Sequence, residues 1–170
     1  ALAKDVREIA AREAYATAMT DFQRTCPTIK KTSSAKIVTR GGVSYSYRFA
    51  PLDEIMSTIL PVLGPLGLSV SWRSRVLDKS VSVSCQVSHV LGHREDSGEI
   101  AMPISEAGTG ANPAQQVGIA TTYAKRYSLL GILGLAPEDD DDAASLRTVD
   151  HETGEVMEET PPPTGPALVT

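Results

Sequence analysis

Lys125 and Arg126 stand side by side in a stretch of helical composition, with Gly118, Thr121 and Thr122 one to two turns ahead of them. Residues three, four and seven apart share a helix side, so small side chains there would let another backbone approach the two cations. That is chemistry suited to holding a phosphate. The same pattern fits an amphipathic helix whose charged tips snorkel to solvent. Cys85-x3-His89-x3-His93 has a zinc-like spacing, but residues four apart on a strand are about 13 Å apart at roughly 3.3 Å per residue. Zinc needs ligand atoms at about 2–2.3 Å, so a core cysteine and surface histidines are expected. Glu138-Asp139-Asp140-Asp141-Asp142 could hold Mg²⁺ or Ca²⁺ loosely, though consecutive acids bring no geometry and more simply mark where a helix ends. Gly108-Thr109-Gly110 precedes a helix start and could meet a phosphate there, or be an ordinary flexible loop. Neither a Walker loop nor a dinucleotide fingerprint nor a nucleophile elbow is present, so no apparatus for nucleotide hydrolysis or nucleophilic catalysis is visible and no cofactor is expected.

The elements that must position these residues follow from periodicity. Residues 2–24 lack Gly and Pro and read as a helix, with Leu2, Val6 and Ile9 in one stripe and Tyr15, Met19 and Phe22 in another. Cys26-Pro27 stops it. Residues 36–40 and 43–49 flank Gly41-Gly42, the signature of a two-residue hairpin, with Val43, Tyr45, Tyr47 and Phe49 on one face and Ser44, Ser46 and Arg48 on the other. Alternation therefore favours core packing for both tyrosines over base stacking. Pro51 opens a helix whose core stripe is Leu52, Ile55, Met56, Ile59 and Leu60, ended by Pro61, Gly64, Pro65 and Gly67. Leu68, Val70, Trp72 and Val76 alternate with Ser69, Ser71, Arg73 and Arg75; residues 80–91 alternate in the same way, Gly92 to Gly98 reads as a turn, and Ile100, Met102 and Ile104 suggest a third strand. Asn112-Pro113 caps a last helix running to about Leu133. The expected fold is α+β: an antiparallel sheet made of a β-hairpin plus a three-stranded meander, with helices on one face and Ser and Arg side chains on the other.

The chain has 170 residues, 41% hydrophobic and 5% aromatic, enough for one two-layer core packed mainly by aliphatics and alanine. No apolar run approaches the roughly 18–20 residues that span a bilayer, and the opening ALAKDVRE has no apolar signal core. Two cysteines give no disulfide framework, which suits a reducing compartment. Net charge is −5, but residues 1–137 hold 15 basic and 11 acidic side chains, whereas residues 138–170 hold one basic and 10 acidic. Within residues 22–75, Arg24, Lys30, Lys31, Lys36, Arg40, Arg48, Arg73 and Arg75 are opposed only by Asp53 and Glu54. A basic body of this kind can attract phosphate through its local field. The expected organisation is a core at 1–137 and an acidic, Pro-containing, disordered tail at 138–170.

Residues 123–142, YAKRYSLLGILGLAPEDDDD, and the block from Tyr47 to Leu68, YRFAPL followed by a helix and PVLGPLGL, resemble the ERF (essential recombination function) family of phage single-strand annealing proteins. The opening helix with Phe22 and the Lys30-Lys31 stretch fit as well, so the similarity covers about residues 10–143. The resemblance implies ATP-independent annealing of complementary single strands in phage or prophage recombination and repair, without enzymatic turnover, in the cytoplasm of a bacterial host. It also implies a core shared with the eukaryotic annealing protein Rad-fifty-two, assembled as a homo-oligomeric ring or filament around a DNA-holding groove. By the same resemblance Lys125 and Arg126 on the long helix, and Arg40, Tyr47 and Arg48 on the hairpin, would contact DNA; Lys36, Arg73 and Arg75 of the basic segment complete the candidate set. The acidic tail could compete for the groove or dock a host or phage recombination protein. Two other classes fit the residues: a metal-dependent nuclease using residues 138–142, and a protein-interaction module with incidental basic charge.

Overall fold

The computed structural model describes residues 2–38, 44–104 and 112–137. They belong to one unit, Ala1–Glu138; a second, Asp139–Thr170, lies outside the described residues, as do Arg40, the Gly41-Gly42 turn, the Gly108-Thr109-Gly110 loop and the 138–142 acidic run. Helix α1 (Leu2–Thr25) sends Tyr15, Ala18 and Phe22 into the core. Its first turns stand outside the core: residues 2–10 are all exposed, the stripe of Leu2, Val6 and Ile9 included.

Strands β1 (Ser33–Val38) and β2 (Ser44–Phe49) form the expected hairpin, but as a two-stranded sheet of its own rather than part of one continuous sheet. Its register also differs. A two-residue Gly41-Gly42 turn would set Tyr45 opposite Val38; instead Val38 pairs with Ser44, Ile37 with Tyr45 and Ala35 with Tyr47. Side chains opposite each other share a face. The observed pairing therefore puts Lys36 with Ser46 and Arg48 on the outward face, away from Tyr47 and Phe49.

Pro51 is the N-cap of helix α2 (Leu52–Leu63), which buries Ile55, Ile59 and Leu63 completely. Leu60, expected in the core stripe, is half exposed. Pro61 does not stop the helix; it sits in the last turn, and Gly64 N–H still donates to Leu60 O. Gly67, at φ 69°, leads into strand β3 (Leu68–Val76); a Cβ there would come within 2.9 Å of Val90 Cγ1, so both conformation and space demand glycine.

Strand β4 (Ser80–His89) is the centre of a four-stranded antiparallel sheet. β3 pairs along one edge from Leu68–His89 to Val76–Val81. The other edge is shared by strand β5 (Arg94–Asp96), inside the stretch expected to be only a turn, and strand β6 (Ile100–Pro103). Between them Ser97 bridges the gap: its N–H donates to Cys85 O and its Oγ accepts from Cys85 N–H. Val81, Val83, Cys85 and Val87 are fully buried on the helix-covered face. Helix α3 (Pro113–Leu133) lies over it, with Ala120 and Ala124 against Val81 and Val83, and Leu129, Leu130 and Leu133 in the larger cluster with Phe22, Ile55 and Ile59. Asn112 and Gln115 make a reciprocal capping box at its start, and Gly134 closes it in the left-handed conformation. The fold is thus α+β, a hairpin and a meander with helices packed against one sheet face. The other face carries exposed Ser69, Ser71, Arg73 and Arg75, while Ser82 and Gln86 are covered through hydrogen bonds to Glu99 and Asp96. Val76, expected on the core side, is exposed near the end of β3.

Candidate functional site

The end of β2, the start of α2 and one side of α3 line an open groove of about 1060 Å³. The hairpin is tied to α3 through a shared hydrogen bond between the hydroxyls of Tyr47 and Tyr123. Gly118 and Thr122 line the α3 side, Leu52 and Met56 the α2 side, and Phe49 the end of β2. The capping box starts α3 at a fixed residue, so the helix presents Gly118, Thr122 and Arg126 to the groove at four-residue intervals.

Arg126 is the unusual residue. Only 6% of its surface is exposed. Its guanidinium carbon lies 4.5 Å from the Tyr123 ring centroid, 4.9 Å from Phe49 and 5.2 Å from Tyr127. Such contacts each contribute about 0.5–2 kcal/mol, the larger values where water is excluded. Among the described residues no carboxylate pairs with Arg126 and no acceptor takes a hydrogen bond from it. Among the described residues no fully buried side-chain nitrogen lacks a partner, and Arg126 lines the open groove. A cation held by π faces and not neutralised leaves its donors available to an anion.

Lys125 and Arg126 are neighbours in sequence, but their side chains meet different partners. Lys125 is half-buried, with Nζ 5.7 Å from the Trp72 ring centroid, and its carbonyl accepts from Trp72 Nε1–H at 3.3 Å. By its spacing from Thr122 and Gly118 Lys125 shares their helix side, yet it does not line the groove, and its ammonium lies over Trp72 of β3 instead. The expected paired grip on phosphate therefore becomes two separate positions, one in the groove and one beside β3.

The other expected residues are dispersed. Tyr47 is half-buried on the groove side; burial, and then its hydrogen bond with Tyr123, push its phenol up to about 12. Lys36 and Arg48 lie on the outward face of the hairpin, where Arg48 Nη2 donates to Lys31 O. Arg73 and Arg75 project from the open face of the four-stranded sheet, opposite Ser84 and Ser82. Arg40 lies outside the described residues. Cys85 is in the core, its thiol pushed up to about 12 by burial, and His93 packs edge-on against Tyr15 at 4.9 Å. Among the described residues no three His, Cys, Asp or Glu side chains group as a metal site, and no helix is long and apolar enough to cross a membrane. Sequence reasoning missed the aromatic surround of Arg126 and the lining role of Leu52, Met56 and Ile119. Part of the signal was present in the Tyr-x2-Arg spacing of residues 123–126, which sets the Tyr123 ring on the arginine's own helix side.

No curated protein matches the chain. A family model described as the ERF superfamily matches residues 15–162. The match takes in α1 from Tyr15, the hairpin, the sheet and α3, and extends beyond the similarity read from the sequence into the acidic segment. The groove and its buried arginine lie wholly inside it, and on the strength of a match over most of its length the chain belongs to the ERF superfamily.

Proposed function

We propose that the protein binds single-stranded DNA and anneals complementary strands without ATP, as a homo-oligomeric ring or filament acting in phage or prophage recombination in the bacterial cytoplasm. Membership of a family concerned with recombination supports the setting. The observation that carries the binding is Arg126: a cation paired with no carboxylate among the described residues, held by three aromatic rings in an open groove. In this reading Arg126 takes a phosphate inside the groove, and Lys125 takes another from the flank. Lys36, Arg40, Arg48, Arg73 and Arg75 add to the field that draws the strand in. Duplex formation releases roughly 1.4 kcal/mol per base-pair step, so the protein need only gather strands and screen their repulsion. Residues 1–137 form the binding core, and residues 138–170 serve a recombination partner or compete with DNA.

The test is strand binding and annealing by Arg126→Ala and Lys125→Ala variants, with Arg126→Lys as the charge-preserving control. Losing a charge-assisted contact costs about 1.5–3 kcal/mol, so Arg126→Ala should weaken oligonucleotide binding roughly ten- to hundredfold. Arg126→Lys should recover only part, because an ammonium lacks the planar face and the fork of donors. Unchanged affinity in a folded Arg126→Ala protein, or fragments instead of intact duplex when labelled DNA is incubated with Mg²⁺, would overturn the proposal.

A further inference from the structure

The groove is poorly built as a track for phosphates alone. Among its described lining residues Arg126 is the one cation, and Asp53 at the α2 end is a carboxylate. The rest of the surface is largely carbon: Phe49, Leu52, Met56, Ile119 and the ring of Tyr123. A sugar-phosphate chain laid along this surface would give up hydration to aliphatic walls and meet a negative charge, with a single anion position to compensate. A nucleotide presents the complementary combination, one anion attached to one flat, weakly polar aromatic ring. Partly exposed aromatic rings and thioether carbon suit a base, and base stacking on aromatic side chains needs no particular sequence. Polar groups stand beside the apolar floor: the Thr122 hydroxyl, the Asp53 carboxylate, and Gln115, whose Oε1 is used by the helix cap. Gly118 leaves room as well, since a Cβ there would meet nothing within 4 Å. The volume of about 1060 Å³ is at the upper end of the range for small-molecule sites.

Resting on the strand-binding reading above, we infer that the groove is a nucleobase socket: each protomer draws one base of the bound strand into the apolar pocket while Arg126 holds an adjoining phosphate. The remaining bases stay outside, free to test a second strand. The socket fixes the spacing of the strand along the assembly without reading its sequence.

Two measurements on the wild-type full chain test this. Binding of oligothymidylate is compared with binding of a strand of equal length made of abasic residues, which keeps every phosphate and removes every base. The socket predicts a loss of about tenfold or more for the abasic strand, in line with base–aromatic stacking. Equal affinity would overturn it. In parallel, 2-aminopurine is placed singly at successive positions of oligothymidylate and followed by time-resolved fluorescence. A short-lived, stacked population should appear on binding and should vanish in Gly118→Phe, whose ring would fill the pocket from its open floor. A bound strand with no short-lived population at any position would sink the socket while leaving strand binding intact. Failure of the wild-type protein to bind oligothymidylate at all would overturn both.

Discussion

Arg126 shows how a side chain can be nearly enclosed and still be available. Its burial comes from carbon and π faces, not from an acid, so its charge remains unspent inside the groove. Tyr47 and Tyr123 fix the surrounding rings through their shared hydrogen bond, and that bond has a pH signature. Tyr15 and Tyr47 are each raised from 10.0 to about 12, and Cys85 from 9.0 to about 12, with burial the largest cause in all three. A raised acid favours its neutral form in the folded state. The stabilisation is therefore complete below the unfolded values and drains away as pH rises through the folded ones. The urea midpoint should fall steadily between pH 9 and pH 12 as these three groups ionise. In Tyr47→Phe the part of that fall lying above pH 10 should shrink; an identical profile would mean the phenol is not held neutral by the fold.

Among the elements, α3 does the most. One side covers Val81 and Val83 with alanines, which lets the helix sit close to the sheet, and the other side builds the groove wall. Gly118 inside the helix and Gly134 just past its end have opposite reasons to be there. Gly118 has open space around it and ordinary helical conformation, so Gly118→Ala should stabilise the fold by up to about 1 kcal/mol through helix propensity. Gly134 sits at φ 64°, and a Cβ there would come within 2.7 Å of Gln23 Nε2, the group that donates to Leu133 O. Gly134→Ala should cost about 1–2 kcal/mol from left-handed strain alone. Chemical denaturation of both variants checks the pair, and equal signs would contradict the placement of the groove along one glycine and of the helix end at the other. The hairpin shows how a single residue of register decides chemistry. With Val38 opposite Ser44, Lys36 and Arg48 face outward together, while Tyr47 and Phe49 meet Tyr123 and Arg126 of α3. Gly-Gly between two β-rich runs locates a reversal but does not say which of its residues lies at the apex, because glycine accepts either backbone.

For the whole molecule the governing quantity is how its charge is divided. Residues 1–137 carry 15 basic and 11 acidic side chains, and residues 138–170 carry one and 10. Removing residues 138–170 should raise oligonucleotide affinity most at low salt and converge with the full chain as salt rises, since screening shortens the reach of the tail's field to about 10 Å at 0.1 M. The slope of log affinity against log salt should be about −0.7 for each phosphate contact on single strands, and a filter-binding series on both forms checks it; parallel lines at every salt would show that the tail's charge is not felt by the bound strand. Much of this protein was written along the chain. Periods of two and 3.6 residues, the Pro51 and Asn112 starts and the charge division are local properties, and they set the α+β class, the order of elements and the basic body. The tertiary structure alone decided that the hairpin is a separate sheet, that Leu2, Val6, Ile9 and Leu60 stay exposed, that Lys125 and Arg126 part company, and that a groove forms with one buried cation. Those outcomes depend on which surfaces meet across many residues, and a helix wheel gives the angle between Lys125 and Arg126 without saying that Trp72 awaits one and Phe49 the other.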